Sequence, residues 1–497
     1  MKSTLCWKIQ FVQGHSHLYP HLTIFLPILL ISLITLSTST SFETHAVVST
    51  AQVSKAVSNA IIPAGNWIDT NGNSLQAHGA GIIQVGQLYY WFGENRTQNN
   101  WLFLAINSYS STDLVHWTFR HEVLSVQRSS DLSSSDLSLD RVVERPKVIY
   151  NALTKIYVMY IHIDNKNYSE AKVGVATSKT IDGNYTYQGS YNPRGNESRD
   201  MTVFQDTDGS AYLIYATKNN YALNIDKLSP DYLSDAGSIY TFNIRWEAPG
   251  MFKANGRYYL INSLPTGWAP NPNVYVSATS LSGPWTSPAS LAPNSPNTYN
   301  SQDAYILPVT GSRGTTYIYM GDSWDPKALG NSRYIWLPLN FNGIDISLSY
   351  YDAWTINTAT GLWSTVSTTS YEAESSSNTL AGSAKVMNCS NCSGGQNIGY
   401  LGNNSGTLQF NGVSAACNGN YLLAIYYANA DTGARMASIR VNGKTTMLSF
   451  ASSHGVNLVA ILPVTVDLNA GSNTIEFSNT SSWAPDIDKV LIPKGCQ

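Results

Sequence analysis

The chain has 497 residues, a formal net charge of -3 and only 12% charged residues, against 43% hydrophobic and 11% aromatic. That length exceeds one ordinary domain and suits two or three. A weakly acidic chain without basic runs excludes nucleic acid and anionic membrane as natural partners, and its 31 tyrosines and 13 tryptophans favour flat, uncharged, hydroxyl-bearing ligands.

In chain order, the first element is a targeting segment. Lys2 and Lys8 precede the apolar run LTIFLPILLISLITL (22–36) and the Ser/Thr-rich STSTSFETHA. The run is shorter than the roughly 20 residues a membrane helix needs, so a signal peptide over 1–46 is expected, with an uncleaved anchor as the alternative. Cleavage implies a secreted, extracellular protein with no membrane association. The sequons at Asn95, Asn184, Asn196 and Asn479 agree with secretion.

Residues 47–363 are built from one repeated pattern, a short apolar run, a turn and an aromatic-rich run. It occurs as HGAGIIQVGQLYYWFGE (78–94), ERPKVIYNALTKIYVMYI (144–161), DMTVFQDTDGSAYLIYA (200–216), EAPGMFKANGRYYLIN (247–262) and QDAYILPVTGSRGTTYIYMG (302–321). Each copy is followed by a further strand-like run, such as LFLAINSYS or KVGVATS. Units of three or four strands repeating every 45 to 65 residues or so predict a five-bladed β-propeller. A β-sandwich is the structural alternative, but it does not account for five equivalent hairpins.

The hairpins open on His78, Glu144, Asp200, Glu247 and Gln302. First strands of a propeller line its channel, so these five converge on one mouth, with Arg145 and Asp303 next in line. A lone acidic residue at a strand start is usually a turn or cap group. Three of them in equivalent positions, clustered where desolvation is costly, point to a functional site. His78 reads equally well as a hydrogen-bonded channel residue.

The chemistry that fits two carboxylates in a funnel is glycoside hydrolysis, which needs an acid for the leaving oxygen and a second group for the nucleophile. Glu247, between Trp246 and Ala248-Pro249, is expected to have a raised pKa, and Glu144, beside Arg145, to stay ionised.

After a Ser/Thr-rich linker at 364–370, YEAESSSNTLAGSAKV opens a domain over 371–497 whose period-two runs predict an antiparallel β-sandwich or jelly roll. It holds Cys389, Cys392, Cys417 and Cys496, which allow three disulfide connectivities. Cys389–Cys392 with Cys417–Cys496 is the expected set. Without a second C-x-x-C, a zinc site is not expected.

The motifs QAHGAGII (76–83), YYWFGENR (89–96), ERPKVIYN (144–151), NYSEAKVGVATS (167–178), WEAPGMFK (246–253), TGWAPNPN (266–273) and SQDAYI (301–306) resemble glycoside hydrolase family 43, most of all its exo-β-1,3-galactanase branch. The resemblance implies a five-bladed propeller and inversion at the anomeric carbon. Glu247 matches the general acid, and Glu144 the carboxylate that tunes it and orients the sugar. Most of the family carries an Asp base where this chain has His78-Gly79-Ala80. In the galactanase branch that role is attributed to the glutamine matching Gln302. A neutral amide is a very weak base, so Gln302 must act as its imidic tautomer or merely position water. Glu94, Tyr168, Asp200, Thr266 and His78 are the sugar-binding candidates, and Trp268 a stacking platform; Tyr168 reads equally as an ordinary loop tyrosine and Trp268 as a packing residue. Asn167 forms a sequon beside Tyr168 and is expected to stay unmodified.

The C-terminal domain resembles carbohydrate-binding module family 35 through YEAES, NIGYLGN, YYANAD, ARMASIRVNG and WAPDIDKVLI. This implies galactan binding, with Tyr400, Asn429, Arg435 and Trp483 as candidates, and a structural calcium on Glu372, Glu374 and Asp488. Taken together, the expectation is a monomeric enzyme releasing galactose from β-1,3-galactan, with no cofactor for catalysis. A β-xylosidase or arabinofuranosidase of the same fold and a non-catalytic galactan-binding lectin are the alternatives.

Overall fold

Tight turns set the architecture. In KANGR, Asn255 and Gly256 both take positive φ, 50° and 75°. This is the twist that joins two antiparallel strands through two residues, here Glu247–Ala254 and Arg257–Ser263. The structure, a computed structural model, describes residues 59–127, 135–269 and 271–495, so the expected signal segment lies outside it.

Five hairpins, with turns of two to five residues, each extend into a four-stranded antiparallel sheet. Their first strands are His78–Val85, Arg141–Asn151, Met201–Gln205, Glu247–Ala254 and Gln302–Gly311. Each first strand packs against the next, and the fifth against the first, which closes the ring expected of a five-bladed propeller. At the closure Trp91, Trp117, Trp336 and Trp354 are fully buried. Trp91 meets Trp117 at 5.0 Å and Trp336 at 4.9 Å between ring centroids, so edge and tilted aromatic contacts weld the first blade to the last.

The C-terminal domain is the expected β-sandwich. One sheet runs Lys385–Asn388, Gln396–Gly399, Asp486–Pro493, Gly419–Ala428, Ala460–Leu468, and the other Thr379–Ala381, Thr407–Ala415, Gly471–Ser478, Arg435–Val441, Lys444–Phe450. Phe410, Tyr421, Tyr427, Phe450 and Phe477 fill the space between them. Cys389 and Cys392 form a disulfide, and Cys417 is also disulfide-bonded; Cys496, its expected partner, lies outside the described residues.

The stretch read as a linker is mostly strand. Leu362–Thr365 pairs with Trp354–Asn357, and Thr368–Glu372 with Asp486–Pro493, leaving Val366 and Ser367 between them. The two domains are held together by an apolar patch in which Ala60, Ile62 and Ala353 meet Leu422, Ala424, Ile461 and Leu491. The Asn66 N–H also donates to the Ile461 carbonyl at 2.8 Å. Period-two apolar residues on the outer face of the sandwich sheet therefore serve the domain contact. The module is docked on the propeller, not strung from it.

Candidate active site

The residues that open the first strands are aimed by backbone irregularity. The ladder slips between His78 and Gly81, Glu144 and Lys147, Glu247 and Gly250, and Asp303 and Tyr305. In three of these bulges the following residue is left-handed: Gly79 at φ 57°, Arg145 at 54° and Ala248 at 50°. For a residue with a Cβ that conformation costs on the order of 1–2 kcal/mol, and such bulges redirect side chains beside functional sites. Gly79 is also required sterically, since a Cβ there would lie 2.1 Å from Glu94 Oε1.

The result is a pocket of about 230 Å³ at the propeller mouth, lined by Glu94, Glu144, Arg145, His162, Tyr168, Arg199, Asp200, Asn220, Glu247, Trp268, Gln302 and Trp324, among others. Of the sequence candidates, His78 and Thr266 do not line it. His78 is fully buried behind Trp324, stacks on Tyr334 at 5.0 Å and shares a proton with Asp322 at 3.2 Å, as a channel residue would. The Thr266 hydroxyl donates to the Ala269 carbonyl at 3.0 Å, while its backbone bonds Glu247.

Glu247 is held from two sides. Asn220 Nδ2 donates to Oε2 at 3.1 Å and Gln302 Nε2 to Oε1 at 2.9 Å. Burial, then the Asp200 carboxylate, push its pKa up to about 8 against the lowering field of Arg145. It is therefore a protonated acid at neutral pH.

Glu144 is the opposite case. Burial pushes its pKa up, but His162 Nδ1 (3.2 Å), Arg96 Nη2 (3.1 Å) and the Tyr168 hydroxyl (2.9 Å) all favour its anion, and the net shift is downward. Despite burial, His162 is pushed up to about 9 because its other nitrogen faces Asp164 at 3.3 Å. The neighbour expected to ionise Glu144, Arg145, turns away to Gln302 and Asp200. Glu94 accepts the Arg145 N–H at 2.7 Å and a close pair from Arg96.

Gln302 is saturated. Its Oε1 accepts from Arg145 Nη2 at 2.7 Å and Trp324 Nε1 at 2.9 Å, and its Nε2 donates to Glu247 and, at 3.1 Å, to Ser263 Oγ. Arg and Trp nitrogens only donate, so the amide orientation is fixed by its partners. Trp324 also packs edge-on against Trp268 at 4.8 Å, forming one wall.

Arg96, His162, Asn220 and Trp324 were not singled out from the sequence. For His162 the signal existed: Glu94, His162, Ser263 and Asp322 are the cross-strand partners of His78, Glu144, Glu247 and Gln302, so the second strands deliver a second ring of polar groups. Ligand atoms of Glu144, His162 and Asp200 lie within 4.8 Å of one another, the one such trio among the described residues. Both nitrogens of His162 are already engaged by carboxylates, which makes it an ion-pair centre.

On the module, Tyr400 and Trp483 are half exposed and meet edge-on at 6.0 Å, with Lys385 Nζ 4.2 Å over the tyrosine ring. Arg435 is clamped by Asp431 (2.7 Å) and reaches the Ala484 carbonyl beside Trp483. Asn429 differs from the expectation. It is buried, and its amide donates to the Gly433 and Phe450 carbonyls, so it braces a loop. At the calcium candidates, Glu372 and Glu374 each keep one buried oxygen without a partner. Asp488 is pushed up to about 6, mainly by burial and then by those two glutamates. These hard oxygens fit a divalent cation, which would draw them together. Asn479, one of the sequons, is buried with its amide donated to the Met436 carbonyl and Ser482, which leaves it no room for a glycan.

A pocket that opposes a neutral buried carboxyl to an ionised one, at the mouth of a five-bladed propeller, defines a glycoside hydrolase. The chain belongs to glycosyl hydrolases family 43, whose model matches residues 75–246. It is 43% identical to an exo-β-1,3-galactanase from Phanerochaete chrysosporium solved with galactose, covering 87% of this chain and 100% of that one with a TM-score of 0.70; the same enzyme has been solved with β-1,3-galactotriose. An exo-β-1,3-galactanase from Clostridium thermocellum is 29% identical, with 87% and 100% covered and a TM-score of 0.58. Residues 407–491 match a model described as alpha-galactosidase, CBM13 domain, so the second domain is a carbohydrate-binding module. A family 35 carbohydrate-binding module from Clostridium thermocellum also aligns, at 39% identity over 25% of this chain and 98% of that one, with a TM-score of 0.25. No curated protein matches the chain.

Proposed function

We propose that this chain is a secreted, inverting exo-β-1,3-galactanase that releases galactose from the non-reducing end of β-1,3-galactan, the arabinogalactan backbone. The observation that carries the reading is the opposed pair: Glu247 pushed up to about 8 and Glu144 held anionic, in one pocket. Similarity to exo-β-1,3-galactanases supports the substrate. A pocket walled by Trp268 and Trp324, in place of an open cleft, suits attack at a chain end.

Glu247 protonates the glycosidic oxygen as the bond to the anomeric carbon breaks; water adds from the opposite face of the ring and loses its proton to solvent water, and Glu247 regains one from solvent before the next turnover. Glu144, fixed by His162, Arg96 and Tyr168, keeps its negative charge near the developing oxocarbenium ion and accepts a sugar hydroxyl. Glu94 and Asp200 supply further acceptors. Of the two roles open to Gln302, positioning is the supported one. All four of its hydrogen-bonding sites are taken, and an imidic O–H would face two donors. The module adds a second galactan-binding face on Tyr400, Trp483 and Arg435, and a calcium ion on Glu372, Glu374 and Asp488 would offset their mutual repulsion.

The test is incubation with linear β-1,3-galactan, xylan and arabinan, following products by chromatography. Free galactose from the first alone is the expected result. Pentose release would reassign the substrate, and retention on galactan without product would make the protein a lectin.

A further inference from the structure

The loop that walls the pocket is gripped by the other domain. Trp324 directly follows the strand Gly314–Ser323, and Asp325 follows Trp324. Asp325 builds the turn itself: Oδ1 accepts the N–H of Lys327 (3.0 Å) and of Ala328 (3.3 Å), and its own N–H reaches Ser332 Oγ at 3.0 Å. Its remaining oxygen, Oδ2, lies 2.6 Å from Nε2 of His454, which belongs to the carbohydrate-binding module, a close polar contact whose angles fall outside those of a hydrogen bond. At the far end of the loop, half-buried Arg333 faces the module's Tyr427. The propeller loop 324–333 thus touches the module at both ends, most closely at Asp325.

His454 is itself well seated. Its backbone sits at φ 61° and its N–H donates to Ser452 Oγ at 3.0 Å. The neighbouring Ser453 N–H donates to the Asn429 carbonyl at 2.8 Å, and the Asn429 side chain is tied to Gly433 and Phe450. A buried asparagine that binds no sugar thereby acquires a purpose, holding the loop that carries His454.

We propose that His454 is a positioning residue for the active site in the neighbouring domain, acting through Asp325 and Trp324 on Gln302 and so on Glu247. The chain of contacts is continuous: His454 to Asp325 at 2.6 Å, the peptide bond to Trp324, Trp324 Nε1 to Gln302 Oε1 at 2.9 Å, and Gln302 Nε2 to Glu247 Oε1 at 2.9 Å. A module that only raised local substrate concentration would need no such grip, because that effect requires only a tether. Released from Asp325, the turn that aims Trp324 loses its outer support, the indole no longer fixes the Gln302 amide, and the acid is less well placed. The proposal rests on Glu247 being the general acid.

The experiment uses the full chain with His454→Ala and His454→Gln. It measures kcat and KM on β-1,3-galactobiose, retention on insoluble β-1,3-galactan, Tm, and the titration of the Glu247 carboxyl by difference infrared spectroscopy, with Glu247→Gln identifying the band. Asp200 and Arg145 are the charged groups facing Glu247 and stay in place throughout. The expected result for His454→Ala is a fall of about tenfold in kcat on the disaccharide, with KM and galactan retention unchanged, since small misplacements of a reacting group cost rate more than binding. Glu247 titrates at lower pH as water enters, and His454→Gln, which keeps a polar group against Asp325, restores much of the rate. A kcat within twofold of wild type, or a loss confined to the polymer, overturns the proposal. Should His454→Ala fail to fold, Asp325→Asn carries the same comparison. If wild type releases no galactose at all, the galactanase reading fails, while the infrared titration still decides whether His454 reaches Glu247.

Discussion

Arg145 follows Glu144 in sequence but serves Gln302: its Nη2 donates to Gln302 Oε1 at 2.7 Å and lies 3.0 Å from Asp200 Oδ2. The left-handed bulge turns the two neighbours apart, so one side chain faces His162 and the other crosses the channel. This single crossing joins blades two, three and five, and it sets the electrostatics on which the following predictions rest.

Glu247→Gln keeps the shape and removes the proton. Turnover should fall by about 10²–10⁴, the usual range for loss of general acid catalysis, while galactose binding measured by calorimetry stays near wild type. Retained full activity would remove Glu247 from the acid role.

The pH dependence follows from the two carboxyls. Glu247 is active while protonated, so kcat/KM should fall as pH rises through about 8. Glu144 is active while ionised, and its lowered pKa puts the acid limb below the ordinary glutamate range. In Asp200→Asn one raising charge is gone and Arg145 acts unopposed, so the alkaline limb should move to lower pH.

Gln302→Glu separates base from clamp. A carboxylate there keeps the acceptor for Arg145 and Trp324 but loses the donor to Glu247 and adds a like charge beside it. The expected outcome is a rate roughly tenfold lower or worse, with the alkaline limb moved up. A faster enzyme would show that position 302 takes a proton from water.

Tyr168→Phe removes one donor from the Glu144 anion. Hydrogen bonds to charged groups are worth about 1.5–3 kcal/mol, so kcat/KM should drop roughly tenfold to a hundredfold and the acid limb should rise. An unchanged acid limb would place Tyr168 outside the Glu144 network.

Calcium should raise Tm by several degrees at saturation, since ligand at about 100 times its Kd adds close to 2.7 kcal/mol. Glu374→Gln should abolish the response. A Tm indifferent to calcium and to chelator would leave the three carboxylates without a metal role.

The sequence by itself determined the five-bladed fold and the ring of residues that opens its blades. Closed blades account for five hairpins in the same pattern where a β-sandwich does not, and the residue that opens each hairpin is fixed by register, so Glu247, Glu144 and Gln302 were legible as a ring. The period-two runs of the second domain likewise had one packing solution. Tertiary structure alone decided the partners. A residue's neighbours in the chain do not tell which way a bulge turns its side chain, so Arg145 looked like the partner of Glu144, and His78 and Thr266 looked like pocket residues. Of the groups that tune the pair, His162 sits opposite Glu144 in one hairpin and was open to register, whereas Arg96, Asn220 and Trp324 come from loops that no local pattern ties to it. The same holds for the domain contact. Ser/Thr-rich composition reads as a linker, but Thr368–Glu372 became a strand because Asp486–Pro493 offered it an edge, and backbone pairing outweighs composition wherever an unpaired strand is within reach.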